Sequence, residues 1–506
     1  MIEIEELITD VLEVGGADLE DLPPKIKRLL ELLLEERKEL LRRLKELEDA
    51  KEQSEEKARK NSRNSSKPPS QDAPGEGKKP QKSSTGRSRG AQKGHSKNTP
   101  KLYDEADCKE IHRHIPQFCQ CCGEPLSLSD GLLPLKRFQY LELPDIQPDV
   151  IEHQSYELEC TECGTTTTGE LPKDLPRHRY GSRLTALISL LRGYNRQSHQ
   201  MLQNFLEDVL GVTISTGQIN RLSQEVSEAL SVPVQEVQNY LQNNATVVGS
   251  DETSFPQRNG DGHNPNGKKG WLWTVVSPVV GFFQVTLSRS QASARKILGD
   301  LTDSMPIVIS DRYSGYNWIP LKHRQICWSH LTRDFTAISE RTGASGEAGR
   351  SLLKKQRRLF RWWHRFRAGL LSYELFVEAV KHLRRGFKEE LEEVASFEVS
   401  FKDKSPWAKT IRTCREILKV EEALWTFVFN PEVEPTNNSS EQALRAAVIW
   451  RRISYGSQSQ AGSEFAARML TVTTTLKRQK RSVFQFLVDA VRAKRNGTPY
   501  SSLLPS

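Results

Sequence analysis

Three acidic residues stand where chemistry on a phosphodiester needs them. Asp251 follows the apolar run Ala245-Thr246-Val247-Val248, and Asp311 follows Met305-Pro306-Ile307-Val308-Ile309. Glu441 follows Thr436-Asn437-Asn438-Ser439-Ser440 and opens a basic helix carrying Arg445, Arg451 and Arg452, which can grip phosphates beside it. In-line displacement at phosphorus builds negative charge on oxygen, and two divalent ions activate the attacking oxygen and stabilise the leaving one. Hard carboxylate ligands suit Mg²⁺ or Mn²⁺, and few are needed because water and phosphate complete the shell. The Asn/Ser run is predicted to cap the helix start and fix Glu441 in its first turn. Glu252, beside the first aspartate, reads as a solvated surface charge.

A second constellation is made of sulfur. Four of the eight cysteines make two C-x-x-C pairs, in the knuckles Cys119-Gln-Cys-Cys122-Gly and Cys160-Thr-Glu-Cys163-Gly. Each knuckle presents two thiolates on a tight turn that glycine closes, and four thiolates make a tetrahedral Zn²⁺ site. Such a site has no open position, so Cys119, Cys122, Cys160 and Cys163 are expected to be structural. Cys108 and Cys121 are spare. Lys136 to Glu159, between the knuckles, alternates in strand fashion. Paired C-x-x-C motifs favour a reducing cytoplasm over a disulfide-forming compartment.

The elements that position these groups are legible in outline. The 506 residues carry a net charge of +8, a weak sign of polyanion binding. The charge is concentrated, with 13 Lys and Arg against Asp72 and Glu76 between Lys57 and Lys101. Residues 1–60 form a helical segment in which Ile26, Leu33, Leu40 and Leu47 recur every seven residues. Leu30, Arg37 and Leu44 fill the other seam of a short coiled coil. Residues 61–100, rich in Ser, Pro, Gly and Lys, have little to bury and suit a disordered basic linker. Residues 101–175 hold the zinc-binding domain.

Residues 176–244 read as helical. Leu210 to Leu222 resembles a helix-turn-helix, with a glycine turn, a Ser/Thr cap and a helix offering Gln218, Asn220 and Arg221 to DNA. Residues 245–476 change period. Three strands (Ala245–Gly249, Gly270–Ser277, Gly281–Leu287), a helix (Ser293–Leu301), a fourth strand (Met305–Ile309) and a short fifth (Arg324–Cys327) make a mixed sheet. That is the order of a ribonuclease-H-like core. Residues 334–434 form an all-helical insertion between the second and third carboxylates. Its basic, aromatic run Lys354–Arg367 suits either DNA contact, with Trp stacked on a base, or an amphipathic helix with Trp in the core. Residues 477–506 are a C-terminal helix and a loose tail, with Lys477–Arg481 a basic patch. No apolar run approaches the roughly 20 residues of a membrane span, and the acidic N-terminus lacks the order of a secretory signal.

Several motifs occur together: Asp251-Glu-Thr253, Asp311-Arg-Tyr-Ser-Gly-Tyr-Asn317, Cys327-Trp-Ser-His330 with Arg333, and Asn437-Asn-Ser-Ser-Glu441 with Arg445. With the Leu-rich N-terminus, the Ser66-Lys-Pro-Pro-Ser70 segment and the knuckles, they resemble the insertion sequence 66 family of DDE transposases. The resemblance covers nearly the whole chain. It implies that Asp251, Asp311 and Glu441 are the DDE triad, that Asp251 bridges two ions, and that water frees a 3′-hydroxyl which then attacks target DNA. It makes His330 a phosphate or leaving-group contact, where the residues alone favour a core histidine. The implied partners are double-stranded DNA (element ends and target), a second copy or larger synapse, and small helper proteins encoded by the same element. A nucleoid-associated cytoplasmic protein follows. Two other readings compete: a transposase-derived DNA-binding protein that no longer cuts, which the presence of all three acids disfavours, and a zinc-ribbon regulator, which leaves residues 245–476 unexplained.

Overall fold

The computed structural model describes residues 23–65, 67, 72, 101–126, 135–173, 175, 179–300 and 305–505. The chain divides into two compact units, one of residues 1–77, 153–204 and 214–506, the other of residues 78–152 and 205–213.

Among the described residues the first helix is α1 (Pro24–Ala58), which begins with proline in its first turn, where the missing N–H costs nothing. Ile26, Leu33, Leu40, Leu44 and Leu47 are exposed along it, so the heptad stripe faces solvent. Its C-terminal end is tied down: Glu56 pairs with Arg341 at 3.1 Å and Lys409 at 2.9 Å. Asn61–Ser65, the start of the Ser/Pro/Lys-rich stretch, forms a turn in which Ser62 bonds Asp72 and Asn64 donates to Glu340. The rest of that stretch lies almost wholly outside the described residues.

A small hairpin pairs β1 (Glu157–Glu159) with β2 (Thr166–Thr168). Of the run Lys136–Glu159 expected to alternate as strand, only Glu157–Glu159 pairs, and its flanking apolar side chains, such as Phe138 and Leu141, are exposed. Without a partner strand or a buried face, alternation alone does not make a strand. Helices α2 (Ser182–Gly193), α3 (His199–Leu210), α4 (Thr216–Ala229) and α5 (Ser231–Asn243) follow.

The sheet holds β3 (Val247–Ser254), β4 (Trp271–Val276), β5 (Gly281–Thr286), β6 (Ile307–Ser310) and β7 (Arg324–Ile326), with α6 (Gln291–Leu298) between β5 and β6. Its order is β5-β4-β3-β6-β7, antiparallel between β5, β4 and β3 and parallel between β3, β6 and β7. The strand carrying Asp251 is therefore central. The β5 edge is covered by α13 (Gln460–Arg478), whose Thr475 and Thr471 hydroxyls accept the N–H groups of Gly281 and Phe283 at 3.1 and 3.0 Å. Capping an edge this way removes a template for aggregation.

A helical region follows β7, with α7 (Trp328–Ser339), α8 (Gly343–Arg367), α9 (Tyr373–Ser396), α10 (Pro406–Leu418) and the short α11 (Thr426–Phe429). Its core is separate from the main one and meets the sheet through Ile309 and Ile326. Trp328, Phe387 and Trp425 pack with ring centroids 5.3 to 5.7 Å apart, tilted or edge-on contacts worth about 0.5–1.5 kcal/mol each beyond burial. Trp363 lies in this core against Phe427 at 5.2 Å. It is a packing residue and not a platform for an unpaired base.

Helix α12 (Asn438–Ser454) carries Glu441, and α13 and α14 (Val483–Asn496) complete the main core. The expected loose tail is tied down. Leu503 is fully buried, and Arg481 and Gln479 donate to carbonyls of Ser502 and Leu503. The basic patch is structural for the same reason: Arg478 donates to Ser277 O and Ser439 Oγ.

Candidate active site

Strand alternation splits β3 into two faces. Val248, Ser250 and Glu252 point one way, and Val247, Gly249 and Asp251 the other. Gly249 is glycine for a steric reason: a Cβ there would lie 2.4 Å from Ser440 Oγ and 2.6 Å from Asn437 Oδ1. The start of α12 thus sits directly on the Asp251 face.

Asn437 makes this contact specific. Its side chain was expected to cap the helix, yet it makes no capping bond. Its Nδ2 donates instead to Ser250 O at 2.7 Å, and its backbone N–H donates to Cys327 Sγ at 3.2 Å. One residue ties the start of α12 to the Asp251 strand and to the start of α7. Glu441 then falls in the first turn of α12, its N–H bonded to Asn437 O. The oxygens Asn437 Oδ1 and Ser440 Oγ are buried without partners.

Asp311 follows β6 in a turn closed by its own carboxylate, which accepts the N–H of Tyr313 at 2.9 Å. The buried Arg324 donates to Asp311 O at 3.0 Å and to Asn317 at 3.2 Å. Burial lowers the Arg324 guanidinium to about 10.

Asp311 and Glu441 both act on Asp251. The Asp251 carboxyl, partly buried, is held well above the usual range, by burial first and then by Glu252, Asp311 and Glu441. Buried like charges of this kind are relieved by a proton or by a bound cation. An all-oxygen donor set of three carboxylates fits a hard divalent ion such as Mg²⁺ or Mn²⁺.

Glu252 is not a solvated charge. Its side chain is 1% exposed; Arg289 Nε and Nη2 donate to Oε1 at 2.8 and 2.5 Å, and Tyr316 OH donates to Oε2. Burial pushes its carboxyl up, while Tyr316 and Arg289 act against that push. The sequence signal for this was the alternation of β3: residue 252 shares a face with the buried Val248. Tyr316 also contacts Ser250 Oγ at 3.2 Å. The network links β3 to the loop that follows Asp311.

His330 and Arg333 reach the site from the first turns of α7. Arg333 Nη2 lies 3.2 Å from Glu441 Oε1, and His330 Nδ1 lies 3.8 Å from the same oxygen. Burial, then Arg333, lowers the imidazole below its usual range. Arg445 and Arg452 lie exposed on α12. Arg451 does not face solvent phosphates: its Nη1 donates to Thr253 Oγ1, Ser254 O and Ser254 Oγ at 2.6 to 3.0 Å. It holds α12 to the end of β3.

The remaining predicted residues stand apart from this centre. On α4, Ser215 caps the helix by accepting the N–H of Gln218 at 3.2 Å. Arg221 is exposed, Asn220 partly so, and Gln218 Nε2 is buried without a partner. The two knuckles have the same local form. Cys119 N–H bonds Glu124 O and Gly123 N–H bonds Cys119 O; Cys160 N–H bonds Thr165 O and Gly164 N–H bonds Cys160 O. Gly123 and Gly164 take left-handed φ of 75° and 66°. Hydrogen bonds, first from Cys122 and from Thr165 respectively, hold the Cys119 and Cys163 thiols below the usual range, which favours the thiolate a metal needs. Cys119 and Cys122 belong to the smaller unit, Cys160 and Cys163 to the larger.

Among the described residues no helix is long and apolar enough to cross a membrane. Residues 177–465 match the family model described as Transposase IS66 family. Residues 6–101 match a family of unknown function, DUF6444. No curated protein matches the chain.

Proposed function

The chain belongs to the IS66 family of transposases, and on that premise we propose that Asp251, Asp311 and Glu441 hold two Mg²⁺ or Mn²⁺ ions for DNA cleavage and strand transfer. The observation that carries this reading is the raised Asp251 carboxyl, on which Asp311 and Glu441 act together with burial and Glu252. The sheet order supports a ribonuclease-H-like core for residues 245–476, with the first acid on the central strand and the second just past the neighbouring parallel strand.

When bound, such ions activate the attacking oxygen and neutralise charge developing on the phosphate. The protein's own part is positioning. Asn437 and Gly249 set Glu441 against the Asp251 strand, and the Asp311 turn is held by Tyr313 and Arg324. Arg333 neutralises Glu441 before metal and DNA arrive and then grips a phosphate, with His330 beside it. Arg445 and Arg452 lie on the exposed side of α12 for the flanking backbone, and Gln218, Asn220 and Arg221 on α4 contact the element ends. The knuckle pairs, Cys119 with Cys122 and Cys160 with Cys163, supply thiolates for structural Zn²⁺. The chain works as a homodimer or larger synapse paired through α1, with helper proteins from the same element.

The test is cleavage and joining on a labelled element-end duplex. Wild type is run beside Asp251→Asn, Asp311→Asn and Glu441→Gln, with Mg²⁺, with Mn²⁺ and with EDTA. The reading requires activity with either ion, none with EDTA, and none in any single variant that still binds DNA. Full activity in Glu441→Gln removes the third ligand. Wild type that binds ends and, even with helper proteins added, never cuts favours the binding-only protein.

A further inference from the structure

Glu441 also stands beside a thiol and an imidazole. Cys327 Sγ, a ring nitrogen of His330 and a carboxylate oxygen of Glu441 all lie within 4.8 Å of one another. Among the described residues this is the one group of three or more ligand-type side chains that close together.

The fold brings them together through two helix starts. Cys327 follows the short β7 and stands at the N-cap of α7, and His330 follows in the first turn. The spacing Cys-x-x-His puts sulfur and imidazole on one side of that turn. Trp328 N–H donates to Pro435 O at 2.9 Å, and Asn437 N–H donates to Cys327 Sγ. These bonds hold the α12 start, and with it Glu441, against the start of α7. Cys327 is fully buried. His330 Nδ1 is buried with no hydrogen-bond partner, 3.8 Å from Glu441 Oε1. A buried ring nitrogen left unpaired is costly unless something fills the space in front of it.

The donor set names the class of ion. A thiolate, an imidazole and a carboxylate are ligands for zinc-class ions, whereas Mg²⁺ and Ca²⁺ take oxygen alone. Three protein ligands leave one position for water. We propose that Cys327, His330 and Glu441 bind a zinc-class ion, and that this ion withdraws Glu441 from Asp251 and Asp311 and so inhibits DNA cleavage. The inference rests on the reading of Glu441 as a triad member. Cys327 gives its Sγ–H proton to solvent as the ion enters. The Arg333 guanidinium, now paired with Glu441, must swing off that oxygen, which sets a threshold against the weaker-binding Mg²⁺ and Mn²⁺.

The experiment counts metal on the full chain. Protein equilibrated with Zn²⁺ and freed of loose ion is assayed for bound zinc: wild type, Cys327→Ser, His330→Asn and the knuckle variant Cys160→Ser. Wild type is expected to hold about one zinc more per chain than Cys327→Ser or His330→Asn. With Co²⁺ as the probe, thiolate-to-metal absorption must survive Cys160→Ser and fall in Cys327→Ser. In Mg²⁺-supported cleavage, the Zn²⁺ concentration that halves each protein's own rate should rise at least about tenfold in Cys327→Ser. Equal zinc in wild type and both helix-start variants overturns the proposal, as does zinc loss confined to Cys160→Ser. If Cys327→Ser does not fold, His330→Asn carries the count. Equal counts alongside dead triad variants remove this inference alone. Active triad variants remove the catalytic reading, while the zinc count still decides whether the site exists.

Discussion

Asn437 donates its side-chain amide to the backbone carbonyl of Ser250 at 2.7 Å, so the residue before α12 is bonded to the residue before Asp251. Glu441 and Asp251 lie 190 positions apart in sequence and owe their proximity to this bond and to the absent side chain at Gly249. Gly249→Ala is therefore expected to lever α12 off the sheet, because its Cβ would overlap Ser440 Oγ and Asn437 Oδ1. The cost should be about 1–3 kcal/mol in urea denaturation, with strand transfer falling far more than DNA binding. Adding Ser440→Gly should restore part of the activity. Unchanged transfer in Gly249→Ala would remove this contact from the account.

The raised Asp251 carboxyl predicts a pH dependence with a definite sign. In the folded chain Asp251 keeps its proton at pH values where the unfolded chain, with an ordinary value of about 3.9, has lost it. Between those two values the folded state binds more protons, so stability falls as pH rises through the window, and the loss is complete above the raised value. Without divalent ions, wild type should gain stability relative to Asp251→Asn as pH is lowered from about 8 toward 5. Added Mg²⁺ should flatten the difference. Melting temperatures of the two proteins across that range decide it; a constant difference would mean Asp251 is not desolvated.

What the sequence carried and what it hid follow from the range of each interaction. The strands were legible because β-branched and aromatic runs such as Trp271–Val276 announce themselves locally. The helices after β7 and the cap at Ser215 were local as well. Glu252 was missed because its burial depends on Arg289 and Tyr316, which lie 37 and 64 residues on. Arg451 was misread because an arginine on a basic helix looks alike whether it meets phosphate or its own strand. Lys136–Glu159 failed in the opposite sense, since its alternation met no partner. The Cys327–His330–Glu441 group joins two helix starts, and only Cys-x-x-His was visible as a motif.

Glu252 should behave as half of a buried ion pair. Glu252→Ala leaves the Arg289 guanidinium without its carboxylate and Tyr316 OH without its acceptor. Removing one partner of such a pair costs about 3–5 kcal/mol in full burial. Arg289 is one-third exposed, so about 2–3 kcal/mol is expected here. Glu252→Gln should cost less, since an amide oxygen still accepts one bond. Urea denaturation measures both, and a loss below about 0.5 kcal/mol for the alanine variant would restore the solvated-charge reading.

The arginines and lysines should separate into those that hold the fold and those that hold DNA. Arg451 satisfies Ser254 O and two hydroxyls, so Arg451→Ala should cost about 1–3 kcal/mol of stability. It should leave the salt dependence of DNA binding unchanged. Arg445 is exposed on the same helix, so Arg445→Ala should reduce the salt slope by about one with stability unchanged. Helix α8 divides in the same way. Leu359 and Trp363 are buried on one side, while Lys354, Arg358, Arg361 and Arg365 are exposed at helical spacing on the other. Trp363→Ala should destabilise by about 3–5 kcal/mol, because the ring fills the core against Phe427. Alanine at each of the four basic positions should lower the slope by about one without moving the melting temperature, if DNA lies along that face. Equilibrium binding to a fixed duplex at several salt concentrations reads every slope. An unchanged slope for all four α8 variants would leave that face a solvated surface and confine the DNA path to α12 and α4.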